Sequence, residues 1–181
     1  MKKSAFLLLM LIVLVSVVPA LAIETIELNF DDILKGTTIE IPDYGDLAAV
    51  QFGYYDDYFR IVHDWGGGTR IESKTTEKYA ILWFSILNTR NENSYFIDDI
   101  YDVVVTYDNK YQYNGWKMQC DPAFGDPSWG LTENRWYSLA PLYEGSFLVA
   151  CELPNVAVSG EKPLKMEFKL KGVQFIYNIR L

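Results

Sequence analysis

The chain is poor in the residues from which most active sites are built. In 181 residues it has one histidine, His63, and two cysteines, Cys120 and Cys151. Two cysteines and a distant lone histidine lack the spacing of a zinc site, so no metal centre is read from them. Positive charge is also scarce, with 16 Lys and Arg against 24 Asp and Glu and a net charge of −8. An acidic chain with scattered Lys and Arg repels phosphate backbones, which excludes nucleic acid as a partner. There is no Asn-x-Ser/Thr sequon, no Gly-x-Ser-x-Gly elbow and no Asp-rich calcium loop of the helix-loop-helix kind. No sustained helical period, internal repeat or low-complexity tract is present.

What is present begins with an export signature. Met1-Lys2-Lys3 precedes an apolar run from Ala5 to Val18, then Pro19 and the small-x-small site Ala20-Leu21-Ala22. This reads as a secretory signal peptide over residues 1–22, giving a secreted or extracytoplasmic protein. The alternative is a retained anchor, since the whole apolar segment approaches the roughly 18 residues that span a bilayer. No later segment is apolar enough to cross, so no membrane span is expected in the mature chain. In an exported chain two cysteines suggest a disulfide, Cys120–Cys151. Closing a loop of about 30 residues would stabilise by about 3.5 kcal/mol. The alternative is a pair of buried thiols.

Residues 23–181 are one domain by length, with 23–46 an N-terminal extension or extra strands and 47–181 the body. The body reads as strands nearly throughout. "YAILWFSILN" (79–88) is apolar at successive positions, as a central strand covered on both faces would be, and ends in the turn formers of "NTRNENS". "IYDVVVTYDNKYQY" is a hairpin turning at Asp108-Asn109, with Tyr101, Val103, Val105 and Tyr107 on one face. "LKMEFKLKG" alternates, with Leu164, Met166, Phe168 and Leu170 inward and Lys165, Glu167 and Lys169 toward water. It turns at Lys171-Gly172 into "VQFIYNIRL". "GSFLVACEL" (145–153) is a further strand. "TTIEI", "DLAAVQF", "YFRIV" and "TRIES" are shorter ones, and "PNVAVSGEKP" has room for one helical turn. Short strands every 8 to 12 residues or so indicate an antiparallel β-sandwich, with a closed barrel second.

The order "ILNTRNENS", "VVVTYDNKYQYNG", "APLYEGSFLVACELP", "EKPLKMEFKLKG" and "QFIYNIR" resembles a family of exported bacterial and archaeal domains of unknown function. Their immunoglobulin-like β-sandwich is shared with a secreted mycobacterial immunogenic protein. The resemblance covers residues 47–181 and implies an all-β, immunoglobulin-like fold and export. It implies no activity. That family commonly has a lipid-anchor cysteine after its signal; this chain lacks one there.

Three stretches compete as sites. "VHDWGGGTR" (62–70) pairs His63 with Asp64 beside Gly66–Gly68, yet adjacent strand residues point to opposite faces, a poor arrangement for base and orienter. No Lys-Ser or Lys-Thr follows the glycines as a phosphate loop requires. It reads as a loop between strands. "NGWKMQCDPAFGDPSWGLTENRWY" (114–137) interleaves Trp116, Trp129, Trp136 and Phe124 with Asp121, Asp126, Asn134 and Arg135. Aromatic faces beside amides and charges suit sugar rings, and equally protein partners. The alternative is a long loop that caps one end of the sandwich, tethered by Cys120. The acidic groups Asp56-Asp57, Asp98-Asp99 with Asp102, and Asp43 with Asp46 are solvated turn residues or, less simply, calcium ligands. "YYDDY" (54–58) is structural. The expectation is a secreted or cell-surface, non-enzymatic binding module for protein or carbohydrate, with Trp116, Trp129, Trp136, Phe124, Asn134 and Arg135 as its contact residues. No cofactor is implied beyond that calcium reading. The alternatives are a structural envelope protein and a carboxylate-dependent hydrolase.

Overall fold

Thirteen strands are arranged in order along the chain in a computed structural model, which describes residues 24–42, 44–55, 58–62, 68–72, 76–120, 131–132 and 138–181. They are β1 (Thr25–Asn29), β2 (Thr38–Ile41), β3 (Gly45–Tyr55), β4 (Tyr58–Val62), β5 (Gly68–Glu72), β6 (Glu77–Leu87), β7 (Ile100–Tyr107), β8 (Tyr111–Asn114), β9 (Trp116–Cys120), β10 (Leu131–Thr132), β11 (Glu144–Pro154), β12 (Leu164–Leu170) and β13 (Val173–Arg180). Two single-turn helices, α1 (Phe30–Leu34) and α2 (Asn155–Ser159), and a 3₁₀ turn at Phe96–Asp99 complete the described elements. Residues 1–22, expected to be a signal peptide, lie outside the described residues.

The front sheet has the order β1-β13-β12-β7-β8 and the back sheet the order β2-β3-β6-β11-β9; a small third sheet is β10-β4-β5. Pairing is antiparallel except for β1 on β13 and β10 on β4. The all-β, antiparallel sandwich expected from the strand spacing is therefore the fold. Segment 23–46 supplies an outer strand to each main sheet, β1 to the front and β2 to the back.

Both local patterns that defined strands most sharply are realised. In β12 the inward set Leu164, Met166, Phe168 and Leu170 is buried, while Lys165, Glu167 and Lys169 are half-buried on the outer face. The two-residue turn to β13 uses Lys171 at φ 45 and Gly172 at φ 86. Positive φ at both positions matches the twist of the flanking strands. In β6 eight consecutive residues, Tyr79 to Ile86, are buried. One set, Leu82, Phe84 and Ile86, enters the core between the sheets; the other, Tyr79, Ile81 and Trp83, packs with Met118, Leu148 and Ala150 on the outward face of the back sheet. Phe84 stacks on Phe168 at 5.2 Å across the sandwich, and Phe168 on Phe175 at 5.2 Å.

Two backbone devices alter what alternation predicts. At Asp102, φ is 54, and the register of β12 on β7 slips between Glu167 and Lys169, so the bulge places two β7 residues opposite Phe168. Tyr101 thereby leaves the face of Val103 and Val105 and is 40% exposed; a bulge breaks the period of two. At Gly115 the chain leaves the front sheet and joins the back sheet. A Cβ there would lie 2.5 Å from Ala150 O and 2.6 Å from Val103 Cγ1, so only glycine permits the crossing.

The Cys120–Cys151 disulfide is not formed. Cys151 is a free, fully buried cysteine beneath this crossing, its Sγ 3.4 Å from Tyr113 O and 3.5 Å from Asn114 O. The register places Cys120 opposite Ser146, five positions along β11 from Cys151. That is roughly 17 Å between Cα atoms at strand rise, and a disulfide tolerates less than about 7 Å.

Candidate functional site

The outer face of the front sheet forms an open groove with a volume of about 540 Å³. Its polar lining is Asp102, Gln112, Asn114, Glu167, Lys169 and Gln174, with Val104 between them. The register builds it in rows: Asn114 pairs with Val104 and Val104 with Glu167, while Lys169 lies opposite Gln174 on one side and Tyr101 on the other. Gln112 sits one row further, opposite Thr106.

Charge within the groove is mostly paired. Lys169 Nζ is 2.8 Å from Asp102 Oδ2, and it stands 5.7 Å from the centre of the Tyr101 ring. The hydrogen bond from Lys169 to Asp102 raises the ammonium's pKa. Glu167 receives Lys165 at 2.6 Å on one oxygen and Gln174 Nε2 at 3.1 Å on the other. Gln112 and Asn114 are exposed. Each amide offers both donor and acceptor atoms. The bulge at Asp102 turns its carboxylate and Tyr101 together to the groove rim. Bulges of this kind recur beside binding sites because they re-aim side chains.

At one end of the sandwich the loops after β6 and before β11 are tied by Asn88, which is fully buried. Its Nδ2 donates to Glu92 O at 2.9 Å and Leu139 O at 2.8 Å, and its Oδ1 accepts from Arg90 N at 3.0 Å. Tyr44, between β2 and β3, donates to Asp99 Oδ2 at 2.6 Å; burial and that carboxylate push its pKa well above the usual phenol range. The Arg90 guanidinium and the Lys171 ammonium lie 4.9 Å and 5.1 Å from the Tyr44 ring centre. Between Leu139 and β11, Tyr143 N donates to Ala140 O at 3.1 Å, closing a turn with Pro141 second and Leu142 third. Leu142 has φ 64 and is 78% exposed, and Tyr143 is 61% exposed. The third position of such a turn favours glycine, and a leucine there costs about 1–2 kcal/mol.

Of the residues expected to form the aromatic site, Trp116 alone lies among the described residues. Trp116 begins β9 and is half-buried against the Tyr79–Trp83–Met118 cluster, so it belongs to the back sheet and not to a loop. The stretch 114–137 is thus partly strand, since Met118, two positions on, shares that apolar face. Phe124, Trp129, Asn134, Arg135 and Trp136 lie outside the described residues, as do His63, Asp64, Asp43, Asp56 and Asp57. The flanks of "VHDWGGGTR" do pair, Val62 opposite Gly68, as a connection between β4 and β5 requires. Asp99 is engaged by Tyr44 and Asp102 by Lys169. Among the described residues no three His, Cys, Asp or Glu side chains converge on a cation position.

These sheets define a β-sandwich protein. No protein-family profile and no curated protein matches the chain. Among solved structures it is similar to an uncharacterized β-sandwich protein from Clostridium difficile 630, at 18% identity and a TM-score of 0.65, over 87% of this chain and 97% of that one. The likeness shows the fold alone.

Proposed function

We propose that the protein is an exported, non-catalytic binding domain that holds a hydroxyl-rich ligand, a segment of glycan, in the groove of the front sheet. The observation that carries this reading is the lining itself: amides at Gln112, Asn114 and Gln174 alternate with the Lys169–Asp102 and Lys165–Glu167 pairs across neighbouring strands. Sugar hydroxyls donate and accept at once, and amides answer both. The Tyr101 ring at the rim adds an apolar face. The export signature of residues 1–22, and the resemblance of 47–181 to exported immunoglobulin-like domains, support a place at the cell surface.

Titration calorimetry with solubilised envelope polysaccharide tests the reading. The double substitution Gln112→Ala and Asn114→Ala is expected to weaken binding by roughly tenfold or more, about 1.4 kcal/mol. Lys110→Ala, outside the groove, is expected to leave it unchanged. Unaltered affinity in the double variant, with the fold intact, removes the groove as the site; saturable binding of a protein ligand instead of the polysaccharide removes the ligand class.

A further inference from the structure

The register of the front sheet assigns each charge on its outer face a place. Glu27 of β1 lies opposite Ile176 of β13, and Ile176 opposite Glu167 of β12. Glu27 is exposed. Lys165 and Lys169 stand two positions to either side of Glu167 on the same strand. Arg180, at the end of β13, donates instead to Lys162 O, Val158 O and Ala157 O at the foot of α2. On this face the carboxylates of Glu27, Glu167 and Asp102 therefore outnumber the ammonium groups of Lys165 and Lys169, in a chain whose net charge is already −8.

Both ammonium groups already meet a carboxylate. Lys169 Nζ is 2.8 Å from Asp102 Oδ2, and Lys165 Nζ is 2.6 Å from Glu167 Oε1. Each of these carboxylates belongs to the chain, so an incoming anion competes with a partner that never diffuses away. The bulge places Asp102 for this. Its φ of 54 strains most side chains and is tolerated by aspartate, whose carboxylate side chain stays 60% exposed beside Lys169. Such an exposed pair adds little to stability; its effect falls on whatever charge enters the groove. Among the described residues that line the groove none is arginine, the side chain whose paired N–H groups fit carboxylate and phosphate. What remains are amides and matched charges, which answer hydroxyls.

Resting on the reading of the groove as a glycan site, we propose that it takes uncharged glycan and rejects chains bearing uronate or phosphate. Asp102 is the residue that sets this selectivity, by occupying Lys169.

Solubilised envelope polysaccharide, separated by anion exchange into neutral and acidic fractions, tests this by calorimetric titration of the full chain. Low salt is used, where charge effects are least screened. The neutral fraction is expected to bind several-fold more tightly than the acidic one. Asp102→Asn keeps a side chain that tolerates the bulge and releases Lys169. It is expected to raise affinity for the acidic fraction several-fold and so narrow the ratio between the two. Adding Lys169→Gln to that variant is expected to abolish the gain. An acidic fraction bound as tightly as the neutral one by the unsubstituted chain overturns the selectivity. A ratio unmoved in Asp102→Asn, or a gain that persists without Lys169, overturns the role of Asp102. Binding of neither fraction, by contrast, removes the glycan reading itself and the selectivity with it.

Discussion

Asn88 and Cys151 are each fully buried, and the sequence marks neither as special. Asn88 sits in a run of turn formers, where any asparagine reads as a solvated loop residue; only the fold shows it bonding two carbonyls and an amide from two loops. Asn88→Ala leaves those groups short of partners, and a loss of about 2–3 kcal/mol in urea unfolding is expected. Cys151 misled for a related reason. An even cysteine count and an expectation of export favour a bridge, but the pairing partner is set by strand register, which composition does not contain. Burial pushes the Cys151 thiol from the usual 9.0 up to about 12, with a smaller opposing effect from the Val105 backbone. The unfolded thiol ionises first, so the stability it contributes is complete below about pH 9 and is lost progressively toward pH 12. The loss approaches about 4 kcal/mol, and the raised phenols of Tyr44, Tyr79 and Tyr113 act in the same direction. Denaturant midpoints measured across this range are expected to fall. A Cys151→Ala variant is expected to lose less stability over the same interval.

Among the elements, those read correctly from sequence are those whose evidence is local. β12 and β13 alternate cleanly and meet at a Lys-Gly turn, and β6 is apolar on both faces, so neither needs knowledge of its neighbours. What escaped depends on pairing. The bulge at Asp102 exists only relative to β12, and it moves Tyr101 from the core face to the groove rim. The groove itself needs Gln112 and Asn114 of β8 to lie across from β7 and β12, so no spacing along the chain announces it. The strand switch at Gly115 is the same kind of feature. From sequence, Asn114-Gly115-Trp116 starts a long loop, yet the chain runs through it from one sheet to the other. Gly115→Ala forces a methyl against the Ala150 carbonyl and the Val103 side chain. A fall of about 2–3 kcal/mol is expected, of the size of core overpacking. Gly36→Ala, where the space is open but φ is 65, is expected to lose only about 1 kcal/mol. Thermal melts of the two variants compare steric crowding with backbone strain.

At the scale of the whole molecule, the strands are unequal in what surrounds them. The front sheet is bounded by two short outer strands, β1 and β8, and its outer face carries the polar groove. The back sheet is apolar on both faces at its centre, where β6 pairs with β3 on one side and along all of β11 on the other. This asymmetry was half legible. The both-sided burial of "YAILWFSILN" is written in its composition, whereas the small sheet β10-β4-β5 joins segments some seventy residues apart and follows from no local pattern. The doubly buried strand also fixes how the protein exchanges its amide hydrogens. Residues 79–86 have no route to solvent through fraying of an edge, since every neighbour must leave before they are exposed. Their amides are expected to exchange only when the entire domain opens, with protection equal to the global unfolding free energy. Amides of β1 and β8 are expected to exchange through partial openings and to be labelled much earlier. Deuterium uptake followed peptide by peptide would then give the domain's stability from β6 alone, without denaturant.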